Sequence, residues 1–536
     1  MLSIKKITVL VSLFFSFFSI VTAQEIPLQR HCRSTLHEPV FTYSQAKSYL
    51  SNRRVNAMNR TNISNLPVIV HVIYNLDEKN TKHNNISSEQ ILSQINSTNR
   101  DLLHQNNNRT QTLDEFSSDA VNSLVELKMA VYSPDGQVLV EPGINRIQGS
   151  LKGDDEYSIS QVDQIIADNI WDHEKYMNIW VVPLTNNWLG YAYFPNYTDL
   201  QGLDQVSNGE VATSSRDGIV IDTHFFGSNE FDEGYDLENH YDLGRTLTHE
   251  LGHYLGLLHI WGVGSASCSK DDYCDDTPQI SSSHSGSRYC NATTGEEVKL
   301  LCDSAALIFD SSQYQNYMDY TNDSCMTMFS LDQKSRIDVI LTDAPARNTL
   351  NQNMPTGTIT LEVNPGTDLN ALTWTISEDD NVSGFIVEKS INKQGYKIIS
   401  AILSPNDNAF SVTSESVDTR VTYRVYAVNN TGASFSKSSN TITIYNGIVG
   451  LDTKQREKFT IYPNPSEGIF KLKPAQYISQ CGLLEVWSSS GALILSKEIN
   501  TSSAEVSIDL SSYPRGTYFM KLSSDLGVFT QRCIKL

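Results

Sequence analysis

Three histidines and a glutamate, His249, Glu250, His253 and His259, stand at a spacing that describes a catalytic metal site. On a helix, positions four apart lie one turn above each other, so His249 and His253 project two imidazoles toward one point with Glu250 beside them. A third histidine six residues on cannot reach that point from a continuing helix, and Gly256 is where the chain can break and turn back. Three neutral imidazoles and one open position fit a zinc ion whose bound water is acidified by the metal and deprotonated by the glutamate. A structural zinc would be closed by a fourth protein ligand and has no use for a base.

Downstream, Gln315-Asn316-Tyr317-Met318-Asp319-Tyr320 lies in a polar segment suited to a tight turn. The long histidine motif with Gly256 in register, followed by this methionine turn, resembles the pappalysin family of metzincin metalloproteases. The resemblance runs on through residues 66–74, 86–95, 176–182, 189–192 and 217–221. It implies that Met318 floors the metal and that Tyr320 approaches the metal or the tetrahedral intermediate. It also implies that Leu189-Gly190-Tyr191-Ala192 is an edge strand on which extended peptides lie antiparallel, which favours protein or peptide substrates over small amides.

Two further implications concern residues 268–325. Asp271-Asp272-Tyr273-Cys274-Asp275-Asp276-Thr277-Pro278-Gln279 gathers carboxylate, hydroxyl and amide oxygens suited to a hard cation. The family resemblance makes calcium the expected ion, with Asp275, Asp276, Thr277 and Gln279 as ligands, although the family's usual residue at 274 is not cysteine. Of the eight cysteines, the resemblance pairs Cys290 with Cys325 and Cys268 with Cys302, with Cys274 in place of Cys268 as the alternative. Cys481 and Cys533 stand as a staple for the end of the chain.

The elements that must position these groups follow from pattern. Residues 66–74 and 176–182 are apolar, β-branched runs and read as strands, while Ile91, Ile95, Leu102 and Leu103 recur at helical spacing over 88–103. The expected fold is multidomain: an α/β metzincin catalytic domain over 61–352, then two all-β sandwich domains. The first, 353–447, resembles a fibronectin type III module, with Trp374 on an inner strand and Tyr423 as its corner tyrosine. It is expected to act as a spacer. The second, 455–536, carries Tyr462-Pro463-Asn464-Pro465 and Tyr513-Pro514-Arg515-Gly516-Thr517-Tyr518, and resembles a type IX secretion sorting domain, which makes that secretion machinery a partner.

Composition bounds the rest. A length of 536 residues with 39% hydrophobic content supports several globular cores. The net charge of -21 argues against nucleic acid and against anionic membrane surfaces. Residues 1–23 read as a signal peptide: Lys5 and Lys6, an apolar run from Ile7 to Val21, then Ala23 before Gln24. No other segment suits a transmembrane anchor, so the expected product is secreted or attached at the cell surface. The rival reading is a surface adhesin or carbohydrate-binding protein with a vestigial metal site, against which the intact Glu250 weighs.

Residues 24–60 read as a propeptide. Cys32 lies within Arg30-His31-Cys32-Arg33, where arginines favour a thiolate able to fill the open zinc position of a latent zymogen. Related zymogens place Cys-Gly-Thr there, whereas this chain has Cys32-Arg33-Ser34. Arg54 and Arg60, in a polar and basic stretch expected to be exposed, are the expected cleavage points, consistent with a preference for arginine beside the scissile bond, and Asp323 is a candidate counter-charge for it. Cys32→Ala should yield a precursor that cleaves peptides before any processing; a variant precursor as silent as the parent would sink the latency role.

Overall fold

The apolar run at the start of the catalytic region becomes β1 (Ser64–Leu76), the spine of a seven-stranded sheet. The structure, a computed structural model, describes residues 62–231, 233–262, 267–286, 300–302, 305, 310–350, 355–366, 369–377, 381–415, 419–429, 435–436, 438–445, 459–474, 481–488, 493–500, 506–524 and 527–536. Cys32, Cys290, the signal peptide and the propeptide lie outside them.

Around β1 the sheet adds β2 (Lys82–His83), β3 (Val125–Met129), β4 (Ile144–Lys152), β5 (Met177–Val181), β6 (Gly190–Ala192) and β7 (Ile219–Ile221). β3 and then β4 run parallel along one side of β1, and β5 runs parallel along the other, with Val70 opposite Ile179. β7 continues the parallel set, and β6 closes the row antiparallel to β7. Burial of both faces explains the unbroken apolar runs, since parallel strands are covered by helices on each side. Leu66, Val68, Val70 and Val72 of β1 and Ile179 and Val181 of β5 face one core. Ile73 and Trp180 face the other.

Helix α1 (Ser88–Leu102) matches the expected span and starts where the Ser87 hydroxyl accepts the Gln90 N–H at 3.1 Å. Ile91, Ile95 and Leu102 enter the first core, together with Leu247 and Leu251 of the histidine-bearing helix α3 (Arg245–Tyr254). On the opposite face, α2 (Ile159–Asn169) contributes Val162 and Ile166. Helix α4 (Leu331–Asp343) opens with a reciprocal Ser330/Gln333 capping box. Short strands β8 (Ser285–Gly286) and β9 (Tyr320–Thr321) pair in parallel beside the methionine turn.

Next comes a two-sheet sandwich. One sheet contains β10 (Ile359–Asn364), β11 (Leu369–Ile376) and β14 (Ala409–Thr413); the other contains β12 (Gly384–Ile391), β13 (Tyr396–Ile398), β15 (Arg420–Val428) and β16 (Ile442–Tyr445). Trp374 and Tyr423 are buried between them, and the Tyr423 hydroxyl accepts from Asn370 at 3.3 Å. This module and the catalytic region fall in the same compact unit, Met1–Gly447. Buried charges make the join. Lys128 on β3 donates to Glu126 at 3.1 Å and to Glu388 at 3.2 Å, while Arg424 meets the same two carboxylates at 2.6 and 2.7 Å. Burial works to raise Glu126, yet Lys128 and Arg424 together hold it down at about 2. Val131 and Tyr132 pack beside this cluster against Ile386, Tyr426 and Phe435.

The second unit, Ile448–Leu536, is a sandwich of β17 (Phe459–Tyr462), β18 (Ile469–Pro474) and β21 (Val506–Asp509) against β19 (Cys481–Ser488), β20 (Leu493–Asn500), β22 (Gly516–Ser524) and β23 (Gly527–Lys535). The expected Cys481–Cys533 staple is not formed, and Cys533 is a buried free thiol. Register gives the reason. Cys533 lies opposite Tyr518, whereas the start of β19 lies beyond Ser523, the partner of Leu483. Five residues along a strand span about 17 Å, and a disulfide bridges Cα atoms only about 4.4–6.8 Å apart.

Lys128→Met should destabilise the unit Met1–Gly447 by about 3 kcal/mol, because two buried carboxylates lose a partner. A carboxylate held at about 2 contributes fully above the ordinary glutamate value of 4.5 and loses that contribution as pH falls toward its folded value. The gap between parent and variant in denaturant midpoint should therefore narrow below pH 4.5. An equal gap at neutral and strongly acid pH would contradict it.

Candidate metal centre

Helix α3 begins without a capping side chain of its own, since its N-cap is Gly244 in the left-handed region. Asp323 supplies the cap from a distance, its Oδ2 accepting the N–H groups of Leu243 and Arg245, each at 3.0 Å. A carboxylate there satisfies orphan donors and complements the helix dipole. Asp323, expected as a counter-charge for arginine, is fully buried and engages the start of this helix.

The helix ends as the motif requires. Gly256 has φ +83° and its N–H bonds to the His253 carbonyl at 2.9 Å, while the Leu257 N–H reaches the Gly252 carbonyl at 2.9 Å. This pair of bonds is a Schellman turn. A Cβ at 256 would also lie 2.7 Å from Ile340 Cγ1, so glycine is required for conformation and for space. The reversal carries His259 back toward the helix, where its ring stacks on Trp261 at 4.3 Å between centroids.

Three ring nitrogens then converge. His249 Nε2 lies 3.3 Å and His253 Nε2 3.1 Å from His259 Nε2. The opposite nitrogens are committed, His249 Nδ1 donating to the Tyr317 carbonyl at 2.7 Å and His253 Nδ1 to the Leu257 carbonyl at 2.8 Å. A carbonyl can only accept, so both Nδ1 atoms carry the proton and both Nε2 atoms present lone pairs. Burial pushes His253 down to about 4, keeping that ring neutral. Three ring nitrogens facing one point is an arrangement that a metal ion would satisfy. Nitrogens about 2.0–2.1 Å from a tetrahedral zinc stand about 3.3–3.4 Å apart, close to the separations here. Among the described residues this is the one group of three or more His, Cys, Asp or Glu able to hold a metal.

The methionine turn closes the site from below. Met318 is fully buried, its N–H held by Asn316 Oδ1 at 2.9 Å. Its sulfur lies where a Cβ on Gly252 would come within 2.3 Å. The Tyr320 ring stands 5.6 Å from that of His249 and 5.0 Å from that of His259. Glu250 is 1% exposed, and the position of a Cβ on Gly190 of β6 is 3.5 Å from its Cγ, so the sheet's edge strand runs beside the glutamate. Asp101 of α1 ties these parts together: it accepts Thr248 Oγ1 at 2.8 Å and the Tyr317 hydroxyl at 2.9 Å, and pairs with Arg245 at 3.2 Å. Burial, offset by Arg245 and Thr248, leaves it at about 6.

In the acidic loop the expected ligand groups make bonds within the protein. Asp276 accepts the Ser330 hydroxyl at 2.7 Å and the Asp332 N–H at 2.8 Å, capping α4. Thr277 donates to Asp272 at 2.7 Å, Gln279 Nε2 donates to the Lys270 carbonyl at 2.6 Å, and Asp275 is exposed. Cys268 and Cys302 are joined by a disulfide, Cys325 is disulfide-bonded, and Cys274 is a buried free thiol.

Comparison with known proteins gives two family matches. Residues 160–342 match the family model described as pregnancy-associated plasma protein-A, and residues 460–536 match the secretion system C-terminal sorting domain. The second match makes residues 460–536 an export tail of the type IX system. The extracellular metalloprotease of Arthroderma gypseum is 32% identical over 166 residues, 31% of this chain and 47% of that protein. Its counterpart in Sordaria macrospora is 28% identical over 228 residues, 41% and 66% of the two chains. The chain thus spans 47% to 66% of the length of these curated relatives. Among solved structures, mature mirolysin of Tannerella forsythia in complex with a cleaved peptide is 31% identical, covering 54% of this chain and 96% of that one, with a TM-score of 0.44. A promirolysin variant from the same organism is 30% identical, covering 57% and 90%, with a TM-score of 0.45.

Gly252 and Asp101 escape sequence reasoning. One signal was present for Gly252: a helix interior seldom spends a glycine without a packing reason. Gly252→Ala should weaken zinc retention against a chelator by about tenfold or more through a displaced Met318. Helix propensity alone predicts the opposite sense, a gain of about 1 kcal/mol in stability. A stabilised variant that retains metal like the parent would refute the packing argument.

Proposed function

Because the chain belongs to the pappalysin family of metalloproteases, we propose that it acts as a secreted zinc endopeptidase on proteins or peptides, made as a latent zymogen. The observation that carries this is the convergence of three Nε2 atoms within 3.1 and 3.3 Å, each outer nitrogen of the helical pair pinned to a carbonyl. His249, His253 and His259 would hold the ion, which would supply an acidified water and polarisation of the scissile carbonyl.

The chain's own groups do the rest. Glu250, one residue from His249 and buried beside β6, takes a proton from the attacking water and returns it to the leaving amine. Tyr320, facing His249 and His259, donates its hydroxyl to the oxygen that gains charge in the transition state. β6, with β7 as its partner in the sheet, offers its other edge to an extended substrate, whose backbone pairs antiparallel and passes Glu250 at Gly190. Gly190 leaves no side chain in that passage. Cys32 is proposed as the group that fills the open position before processing, and arginine as the residue favoured beside the scissile bond.

A calcium ion at the acidic loop belongs to the same proposal. Burial and then the Asp271 carboxylate push Asp272 well above the usual range, and burial and then Asp332 push Asp276 up to about 7. A divalent cation would offset that crowding.

Glu250→Ala should bind zinc as the parent does and lose cleavage of a peptide library by about a thousandfold or more, since base and proton donor vanish together. Chelation should abolish parental activity, added zinc should restore it, and added calcium should raise the melting temperature. A fully active Glu250→Ala protein, or activity that survives chelation, refutes the reading.

A further inference from the structure

We propose that His284, clamped between Asp319 and Ser312, is a positioning residue for Tyr320. His284, Asp319 and Ser312 are all fully buried. His284 Nδ1 pairs with Asp319 Oδ2, and its Nε2 meets Ser312 Oγ at 2.8 Å. These are the groups of a nucleophilic triad, but with no exposure no substrate carbonyl can reach the serine. The arrangement therefore holds something in place.

What it holds is the stretch between the metal floor and the tyrosine. Asp319 sits between Met318, whose sulfur abuts α3 at Gly252, and Tyr320, whose ring faces two of the three histidines. Asp319 Oδ1 accepts the His284 N–H at 3.0 Å and the Tyr320 N–H at 2.8 Å. One carboxylate thus bonds the backbones that lead into β8 and β9, whose registers place Ser285 opposite Tyr320 and Gly286 opposite Thr321. A carboxylate buried this deeply needs a cationic or donor partner on its other oxygen, and His284 is that partner. Ser312 fixes the far side of the ring, so the imidazole cannot swing away from Asp319. The Tyr320 backbone is thereby anchored by a buried group outside the histidine trio.

This rests on the endopeptidase reading, and it predicts a separable kinetic signature. A tyrosine hydroxyl that serves the transition state affects turnover rather than substrate binding. With the mature enzyme and a peptide that the parent cleaves, Asp319→Asn and His284→Gln should each lower kcat about tenfold or more while KM stays within about twofold and zinc content is unchanged. In a Tyr320→Phe background the same changes should have little further effect, because the group they position is gone. Ser312→Ala leaves the carboxylate–imidazole pair intact and gives the same Tyr320-dependent fall, smaller in size, where the other two fail to fold. Parental kcat in these variants, or an undiminished loss in the Tyr320→Phe background, overturns the inference while leaving the protease reading standing. A parent protein that cleaves no peptide fails both, and is recognised by its own silence rather than by any variant.

Discussion

Two backbone carbonyls decide whether this chain can present a metal site. An imidazole has two nitrogens and one proton, so aiming three Nε2 lone pairs at one point requires something to hold the proton on the other side of the ring. Tyr317 O does this for His249 and Leu257 O for His253. Neither carbonyl is on the helix that carries the rings. One belongs to the methionine turn and the other to the Schellman turn that ends α3, so both irregular segments are set by the tautomers they impose.

Irregular backbone of this kind needs support from outside itself, and buried arginines provide much of it. Arg245, Arg336 and Arg347 are each at most 1% exposed. Arg336 donates to the Gly256 carbonyl at 3.1 Å and Arg347 to that of Tyr254 at 3.1 Å, both at the end of α3. Arg347 pairs with Asp217 at 2.7 Å, and Arg245 with Asp101, so these two charges are matched by carboxylates drawn from distant segments. A planar guanidinium can bond several carbonyls at once, which suits it to bracing turns. The cost of burying these ions means that stability depends on complete networks rather than on single pairs.

How much of this was readable from the chain depends on the range of the interaction. His249, His253, Gly256 and His259 are legible because helix geometry and one glycine relate them within a few residues, and the strand runs 66–74 and 176–182 because burial on both faces leaves them continuously apolar. Asp101 is not legible: its bonds to Thr248 and Tyr317 cross 147 and 216 residues, and nothing local distinguishes it from a solvated aspartate. Asp323 is no more legible, since its sequence neighbourhood gives no sign that it caps a helix 80 residues away. The Cys481–Cys533 pairing failed for a related reason, because strand register, invisible in composition, separates two cysteines that look adjacent at the end of the chain.

The charge cluster that joins β3 to the sandwich has a consequence in time as well as in space. Its bonds connect Lys128 with Glu388 and Glu126 with Arg424, across 260 and 298 residues, and Asn65 reaches the Ser436 carbonyl across 371. A chain emerging from the ribosome cannot close these contacts until nearly all of the first unit has been synthesised, and contacts of such long range fold slowly. The edge of the sheet therefore stays open through most of synthesis. A polypeptide assembled in this order reaches its finished form late, so a metal site that depends on the completed first unit is among the last features to mature.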